Sequence, residues 1–284
     1  FITAMAGFRP LLCMSWGFDL MEDAERGPLW RWATRYTLRR SSYFVSDAEV
    51  TRARAITFGM DPDRTSVFPW GVDLRRFRRP ASSRAVGSGH KGATGSKGTG
   101  LVLLCNRSWE KRYGVDVLAR AFVEVAPRLP GVSLILIGTG SQGEAIRRII
   151  ADGGQMDRVL LPGRVSPAEI HRWYHKADLF ISPSHVDGSS VSLMEALASG
   201  TPVLVSNIPA NCEWVTDGVN GWLFQDGDAD DLAQRILSIA KQRRDRVRIS
   251  RAGRKTAERR ADWDRNFQVL LRSYEKAVAV GASL

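Results

Sequence analysis

Cysteine is scarce in this sequence, and long hydrophobic runs are missing. The 284 residues include three cysteines, Cys13, Cys105 and Cys212, which are widely spaced. Three scattered thiols form neither a disulfide framework nor a metal-binding pattern, so we expect reduced core or near-core thiols in a cytosolic protein. No apolar stretch approaches the roughly 18 residues that cross a membrane as a helix. These absences argue against a disulfide-rich domain, a cysteine-based zinc domain and a membrane-spanning protein.

The beginning of the chain lacks the features of a natural start. It opens Phe-Ile-Thr-Ala-Met, with neither an initiator methionine nor the basic segment of a signal peptide. We therefore expect a fragment of a longer chain, truncated at its N-terminus. We find no D-x-D motif or histidine cluster that would hold a metal, and we expect neither a catalytic metal nor another cofactor.

Acidic residues are outnumbered by basic ones, 30 to 41, which gives a formal net charge of +11. The arginines cluster in residues 35–54, 74–79 and 243–260. Such a charge attracts nucleic acids, anionic membranes and phosphorylated ligands, and a solvated arginine-rich surface explains it equally well. No aromatic–basic motif accompanies the charge, so a nucleic-acid partner is not expected. The expected location is cytoplasmic, with peripheral contact at the anionic inner face of the membrane left open.

Residues 80–100 contain almost no apolar side chains and predict a flexible linker. It separates residues 1–79, the remainder of an N-terminal domain, from a C-terminal domain at 101–243. A helical segment at 244–284 follows, with one long helix over roughly residues 244–280. Short apolar runs alternate with helical patterns on both sides of the linker, which is typical of parallel α/β sheets. The predicted fold class is α/β, with a complete C-terminal Rossmann-like domain and a partial N-terminal one.

Individual elements follow from the same patterns. In the N-terminal part we predict strands at 11–14, 43–46 and 66–69 and helices at 29–40 and 48–58, with Asp47 as a helix N-cap. In the C-terminal part we predict strands at 101–105, 133–137, 158–161, 178–182, 202–206 and 222–224, and helices at 114–127, 167–176, 211–216 and 228–241. The helix at 29–40 has an apolar face and an arginine-rich face, so it either lies on a membrane or packs on its own domain, which we favour.

The most informative stretch runs from residue 182 to residue 200. The apolar run Leu179–Ile181 predicts a buried strand, small and polar residues follow, and a helical pattern then extends to Gly200, a typical helix stop. The N-terminus of such a helix is an anion site, because its free N–H groups and its dipole favour negative charge. Asp187 and Glu195 flank it, and carboxylates accept hydrogen bonds from hydroxyl groups. A nucleotide sugar, which has a phosphate between two sugars, fits both features.

Other polar loops follow the neighbouring strands of the predicted sheet. They supply Arg107, Lys111 and Arg112 as cations for phosphate oxygens. Gly138, in a Gly-Thr-Gly turn, allows a ligand to approach the backbone closely. Because the carboxyl ends of parallel strands share one edge of the sheet, we expect these residues to converge on the loop that holds Asp187.

Three runs of residues resemble the motifs of one enzyme family. Asp187 to Val203 reads D-G-S-S-V-S-L-M-E-A-L-A-S-G-T-P-V, Glu213 to Leu223 reads E-W-V-T-D-G-V-N-G-W-L, and Pro69 to Asp73 reads P-W-G-V-D. They resemble the E-x7-E, E-x-V-x-D-G-x-N-G-x-L and P-N-G-V-D motifs of the retaining GT-B-fold glycosyltransferases of the family-four type, the glycosyl transferases group 1. The resemblance extends over about residues 10 to 275, and it implies a GT-B-like fold.

The resemblance implies a role for each matching residue. Glu195 would hold the ribose hydroxyls of a nucleotide, and Asp187 would contact the transferred sugar. Asp187, Arg107 and Lys111 form the expected catalytic set, in which the two cations neutralise the diphosphate. The remaining expected donor-binding residues are Gly188, Ser189, Ser190 and Val191 at the helix start, Gly138, Arg112, and the backbone at Arg164 and Val165 beside the base.

This sequence departs from the family pattern at several positions. Asp187 replaces the first glutamate and is shorter by one methylene group. The family's R-x4-K spacing places Arg112, rather than Lys111, at the position of the lysine. Trp16 stands where many members have a histidine before a glycine. Only about 80 residues precede the linker, so the first strands and the acceptor loop of a full N-terminal domain are missing.

The implied function is transfer of a hexose from a nucleotide-diphosphate donor to a glycan, lipid-linked or small-molecule acceptor, with retention of configuration and without a metal. One alternative is a non-catalytic remnant that binds a nucleotide sugar. Another is a nucleotide-sugar epimerase of the same fold. A phosphorylase would need a pyridoxal lysine motif, which the sequence lacks.

Overall fold

The computed structural model describes residues 1–79 and 100–283, and the linker predicted at 80–100 lies outside them except for its last residue. The described chain forms two parallel β-sheets, each with helices packed on it. The smaller sheet belongs to an N-terminal unit and the larger to a C-terminal unit, as the alternating pattern predicts. None of the helices in these two ranges is long and apolar enough to cross a membrane.

The N-terminal unit has three parallel strands in the order β1-β2-β3. Its strands are β1 (Leu12–Ser15), β2 (Tyr43–Ser46) and β3 (Thr65–Val67), and its helices are α1 (Ile2–Met5), α2 (Phe18–Met21), α3 (Pro28–Arg40) and α4 (Glu49–Thr57). The β-branched and aromatic residues of β2 are buried on both faces. The unit therefore has the predicted alternation of strands and helices.

The C-terminal unit has six parallel strands in the order β6-β5-β4-β7-β8-β9. The strands are β4 (Val102–Cys105), β5 (Ser133–Ile137), β6 (Val159–Gly163), β7 (Leu179–Ser182), β8 (Val203–Ser206) and β9 (Trp222–Phe224). The helices are α5 (Val115–Arg128), α6 (Gly143–Asp152), α7 (Ile170–Lys176), α8 (Val191–Ala198), α9 (Pro209–Cys212) and α10 (Ala229–Lys241). Strand order reverses between β4 and β7, so the loops after these strands diverge and leave a crevice.

The core of the C-terminal unit lies on both faces of this sheet. Leu103 and Ile181 belong to one apolar cluster and Leu104 and Phe180 to another, and all four side chains are fully buried. Strands that are covered by helices on both faces need continuous apolar runs rather than alternation. The runs visible in the sequence therefore gave the positions of these strands correctly.

The chain ends in two helices rather than the one long helix predicted for 244–280. α11 (Arg243–Arg260) packs on α8 in the C-terminal unit, and α12 (Trp263–Ser283) packs on β2 and β3 in the N-terminal unit. The prediction was wrong because the backbone at Ala261 leaves helical geometry and passes beside Val72, where the two segments exchange hydrogen bonds. Helical periodicity alone does not show such a break.

The units are joined where residues 69–73 run beside residues 261–263. Val72 and Asp262 form a parallel bridge, and the rings of Trp70 and Trp263 stack with centroids 6.3 Å apart. Phe77 is already buried in the C-terminal core. The chain therefore enters the C-terminal unit several residues before the boundary that the sequence predicts at residue 79.

Several apolar residues lie where the patterns did not place them. In α3 the helical spacing of Trp30, Ala33 and Leu38 predicts one packed face, and there Leu38 is buried whereas Trp30 is 53% exposed. In α12, Leu270 is buried but Leu271 and Tyr274 are exposed. Among the thiols, Cys105 is buried and Cys13 half-buried, as predicted for core and near-core groups, but Cys212 is exposed. In α3 and α12 the buried face is therefore narrower than the helical pattern indicates.

Candidate functional site

A cleft opens between the units at the carboxyl ends of the strands. Its cavity has a volume of about 380 Å³. Trp16, Phe18, Asp47 and Trp70 line it from the N-terminal unit, and Asn106, Arg107, Ser108, Tyr113, Asp187, Ser189, Ser190, Val191, Ser192 and Glu195 line it from the C-terminal unit. Six of the twelve predicted site residues therefore line one cavity, at the point where strand order reverses.

The N-terminus of α8 faces this cavity. Ser190 is the N-cap, and its Oγ accepts a hydrogen bond from the amide of Leu193. Val191, the first helical residue, is 42% exposed. The early amides of a helix lack intrahelical partners and carry the positive end of its dipole. This end of α8 therefore favours an anion in the cavity.

Arg107 and Asp187 form an ion pair inside the cavity. The Nη2 of Arg107 lies 2.6 Å from Oδ2 of Asp187, and its Nη1 donates to the hydroxyls of Ser190 and Ser192. The guanidinium also lies 4.3 Å from the ring centre of Tyr113. Burial raises the pKa of Asp187, and the Arg107 charge opposes that shift. The two residues follow β4 and β7, the strands between which the order reverses, and this places them in contact.

Glu195 lies one turn further into α8 and interacts with Tyr174. The Tyr174 hydroxyl donates to its Oε2 at 2.7 Å, and Asn106 donates to the same hydroxyl. Burial raises the pKa of Glu195 to about 7, and the hydrogen bond from Tyr174 opposes that shift. The other carboxylate oxygen has no protein donor among the described residues. Glu195 therefore offers an acceptor for a ligand hydroxyl.

Contacts also cross the cleft between the units. Asp47 follows β2, and its Oδ2 accepts a hydrogen bond from the amide of Ser189 at 2.9 Å. Gly17, with φ of +101°, packs its backbone directly on Gly188, where a Cβ would collide. The predicted N-cap role of Asp47 was wrong: Ala48 occupies the cap position of α4, and Asp47 points across the cleft instead.

The remaining predicted residues lie outside this cavity. Lys111 and Arg112 line a neighbouring cavity of about 1090 Å³, together with His185. Arg112 lies over the Phe18 ring and 3.8 Å from Glu22 of the N-terminal unit. Gly138, Arg164 and Val165 line neither cavity, although the amide of Gly138 bonds to the carbonyl of Gly163 at the same sheet edge.

Three polar side chains at this site were not predicted as site residues from the sequence. Asp47 directly follows a strand, and the rule that located the other loops would have found it. Asn106 follows β4 in the same way. Tyr174 lies inside α7, and nothing in its local pattern indicates that its hydroxyl reaches α8. No group of three or more His, Cys, Asp and Glu side chains arranged for a metal occurs within residues 1–79 and 100–283.

The model of the family "Glycosyl transferases group 1" matches residues 90–256, which is more than half of the chain. The D-inositol 3-phosphate glycosyltransferase of Nocardia farcinica is 31% identical over 243 residues, covering 82% of this chain and 52% of the relative. The GDP-mannose-dependent alpha-(1-6)-phosphatidylinositol monomannoside mannosyltransferase of Mycobacterium tuberculosis is 28% identical, covering 69% of this chain and 52% of the relative. The chain thus spans about half the length of the curated relatives it matches.

Solved structures with the same architecture include HepE of Anabaena, crystallised with UDP and glucose. It superposes with a TM-score of 0.81 at 21% identity, covering 96% of this chain and 74% of HepE. The sucrose-phosphate synthase of Thermosynechococcus elongatus gives 0.79 at 21% identity, covering 95% and 68%. At this identity the likeness concerns the fold. It confirms the predicted GT-B-like α/β class, with a complete C-terminal Rossmann-like unit and a partial N-terminal one.

Proposed function

The chain belongs to the glycosyl transferases group 1 family, and from this premise we propose that it transfers a hexose from a nucleotide-diphosphate sugar to a hydroxyl acceptor. One observation carries the proposal: Arg107, Asp187 and the N-terminus of α8 meet in the cavity that also holds Glu195. The cavity therefore combines positive charge for a diphosphate with acidic acceptors for sugar hydroxyls.

In the proposed complex the diphosphate lies between the N-terminus of α8 and Arg107. The ribose lies against Glu195, and the transferred sugar lies near Asp187 and the backbone of Gly188. Without a ligand, Arg107 and Asp187 neutralise each other at 2.6 Å. A diphosphate would draw the guanidinium away and leave Asp187 free to accept from sugar hydroxyls. Binding of the nucleotide sugar would thus replace the ion pair between Arg107 and Asp187 by a contact of Arg107 with the diphosphate and a contact of Asp187 with the sugar.

The chemistry follows from the charge that develops on the leaving diphosphate. Hydrogen-bond donors that have been placed on the diphosphate when the substrate binds stabilise this charge without further reorganisation during the reaction. In the proposed mechanism Arg107 and the α8 amides supply most of this stabilisation, with Lys111 or Arg112 reaching in from the neighbouring cavity. We propose transfer without a metal and with retention: the acceptor hydroxyl attacks C1 of the sugar on the face from which the diphosphate leaves, the C1–O bond to the diphosphate breaks, and the leaving phosphate takes the hydroxyl proton.

The proposed acceptor is a polyol, a glycan or a lipid-linked sugar that carries phosphate. The two named relatives act on an inositol phosphate and on a phosphatidylinositol mannoside, and both acceptors contain hydroxyls beside a phosphate. Lys111 and Arg112 give the neighbouring cavity a positive charge that suits such a group. For a lipid-linked acceptor we also propose contact of the basic surface with the inner face of the membrane, in a cytoplasmic protein.

A thermal-shift screen against UDP-glucose, GDP-mannose, ADP-glucose and dTDP-glucose, followed by measurement of nucleotide release, tests the proposal. We expect one donor to raise the melting temperature and Arg107→Ala to lower kcat/KM by about 100-fold or more, the range for loss of one oxyanion donor. Arg128→Ala is the matched control, because its exposed guanidinium pairs with Glu124 far from the cavity. Absence of stabilisation by every donor would contradict the proposal.

A second candidate is a protein that binds a nucleotide sugar in the same cavity without transferring it. This candidate would be favoured if a nucleotide sugar raises the melting temperature but no nucleotide is released when inositol phosphates and sugar phosphates are offered as acceptors. Interconversion of the donor sugar without an acceptor would instead favour an epimerase.

A further inference from the structure

Asp47 is the one acidic residue of the N-terminal unit that lines the cleft cavity, among the residues that the structure describes. Its side chain is buried, with 4% of the residue exposed. Its Oδ2 accepts from the amide of Ser189, and its carbonyl accepts from the Ser189 hydroxyl. Its Oδ1 is buried without a hydrogen-bond partner. This carboxyl group therefore holds a loop of the opposite unit while one of its oxygens lacks a donor.

The loop that it holds is the one that presents the N-terminus of α8. Ser189 lies between Gly188 and the N-cap Ser190. The Asp47 carboxyl lies so close to the backbone of Gly188 that a Cβ there would collide with both of its oxygens. The loop at residues 187–190 is thus held by a residue of the N-terminal unit as well as by the strand and helix of the C-terminal unit that it connects.

A second acid makes the reciprocal contact. Glu213 of the C-terminal unit accepts hydrogen bonds from the amides of Glu49 and Val50, at 3.0 and 2.7 Å, in the first turn of α4. Each unit therefore binds backbone amides of the other through a carboxylate. Both contacts exist only while the cleft is closed at this point.

We propose that Asp47 is a positioning residue, which fixes the loop at residues 187–190 across the cleft and makes opening of the cleft depend on its own ionisation. The proposed function enters only in the statement that this loop holds the donor. The contact itself, and its dependence on charge, are properties of the protein without a ligand.

The groups around Asp47 determine the direction of this dependence. Burial raises its pKa to about 7, the amide of Ser189 opposes the shift, and the charges of Asp187 and Asp19 add to it. Arg107 is paired with Asp187 and does not contact Asp47. Glu213 lies at the other side of the first turn of α4. Negative charge at Asp47 therefore disfavours the closed contact.

Opening the cleft would return Asp47 to water, where an aspartic acid has a pKa near 3.9. The closed form holds its proton up to about pH 7, whereas the open form has lost it by then. Protonation therefore stabilises the closed form, and opening becomes more favourable as the pH rises from about 4 to about 7. Above that range both forms are ionised and the dependence ends.

Amide hydrogen exchange followed by NMR, without any nucleotide sugar, measures this opening at the amides of Ser189, Glu49 and Val50. After correction for intrinsic exchange rates, we expect their protection to fall on the order of tenfold between pH 5.5 and 7.5 in the wild type. In Asp47→Asn, which keeps an acceptor for the Ser189 amide but has no charge, we expect no such dependence. A wild-type profile without slope, or an unchanged slope in Asp47→Asn, would overturn the proposal.

Glu213→Gln is the matched control. It should lower the protection of Glu49 and Val50 at every pH, because one amide loses its acceptor, and keep the slope at Ser189. If Asp47→Asn does not fold, Asp19→Asn decides: it removes a charge that raises the pKa of Asp47, so the upper end of the slope at Ser189 must move to lower pH, and an unmoved slope would overturn the proposal. If the exchange experiment contradicts the role of Asp47, a nucleotide sugar can still bind. If no nucleotide sugar binds, the exchange experiment can still be carried out, because it uses the protein without a ligand. The two proposals can therefore be rejected separately.

Discussion

The two sheets follow the same strand–helix alternation and differ in how they are covered. In the C-terminal unit the sheet has six strands, and Leu103, Ile181 and Leu204 are fully buried. In the N-terminal unit β1 pairs on one side only, with β2, and its first three residues are half-buried. A cavity of about 690 Å³ lies between β1 and α3. The larger sheet is therefore packed as a core, whereas the edge of the smaller one is not.

The exposed aromatic residues show the same difference. Phe1, Phe8, Trp16, Trp30 and Trp32, all within the first 32 residues, are 43–60% exposed. In the C-terminal unit the exposed large apolar residues are isolated, as on ordinary surfaces. The two sides of the cleft differ in the same way. The groups proposed to bind the nucleotide sugar follow strands of the well-packed C-terminal sheet, whereas the N-terminal unit contributes aromatic rings and one acid.

The largest expected effect is on the packed sheet. Leu103→Ala removes a fully buried side chain from the centre of the C-terminal sheet, and we expect it to lower the free energy of unfolding by about 2–5 kcal/mol. Urea denaturation followed by circular dichroism measures this loss. If Leu103→Ala lowers the free energy of unfolding by less than a substitution at an exposed position does, the C-terminal sheet is no better packed than the N-terminal one.

A smaller effect is expected where the units touch. Gly188→Ala places a methyl group against the Asp47 carboxyl, and we expect a cost of about 1–3 kcal/mol, as for overpacking. The cost should appear as faster exchange at the amides of Glu49 and Val50, while β4 and β7 stay protected. Gly27→Ala is the control, since nothing lies within 4 Å of its added methyl group. Equal exchange in both variants would contradict a close contact at Gly188.

The next effect distinguishes the two acids of the cleft, both with a pKa of about 7. Only ionised Glu195 accepts from two ribose hydroxyls, so nucleotide affinity should rise as the pH increases through 7, opposite in direction to the closed contact of Asp47. Tyr174→Phe removes the hydrogen bond that favours ionised Glu195, so the midpoint should move to higher pH. Calorimetric titration with UDP or GDP measures it, and an unmoved midpoint would exclude Glu195 as the titrating group.

The smallest expected effect is on the open edge. Trp30→Ala removes a ring that is 53% exposed on α3, and we expect a change of about 0.5 kcal/mol or less, as for ordinary surface positions. The same denaturation experiment as for Leu103→Ala measures it. A loss comparable to that of Leu103→Ala would mean that this face is covered in solution.

Sequence reasoning was most accurate where a single local signal determined the structure. The apolar runs gave every strand of both sheets to within two residues, and Ser190 with its small neighbours located the start of α8. It failed where the outcome depends on distant partners. Asp47 prefers an amide of the opposite unit to its own helix, and no pattern near Asp47 contains that information. The break at Ala261 and the contact of Tyr174 with Glu195 are set by distant residues in the same way.

The prediction of site residues also succeeded where a local signal was sufficient and stopped where distant parts of the chain decide. Arg107 and Asp187 could be brought together from the rule that strand ends share an edge, and their separation of 2.6 Å agrees with it. Which of Lys111 and Arg112 reaches a phosphate depends on the width of the cleft, which no local pattern encodes. The roles of all the predicted site residues stay predictions, and Gly138, Arg164 and Val165 also lie outside both cavities.

The joint between the units determines how the cleft can change its shape. Within residues 1–79 and 100–283 the backbone passes between the units at residues 69–73 and 261–263, and these segments lie side by side, joined by two hydrogen bonds of Val72. Because the two crossing segments lie side by side and are hydrogen-bonded to each other, they form a single hinge. We therefore expect the two units to rotate relative to each other mainly about one axis. A single distance across the cleft, such as that between Gly17 and Gly188, would then describe its state.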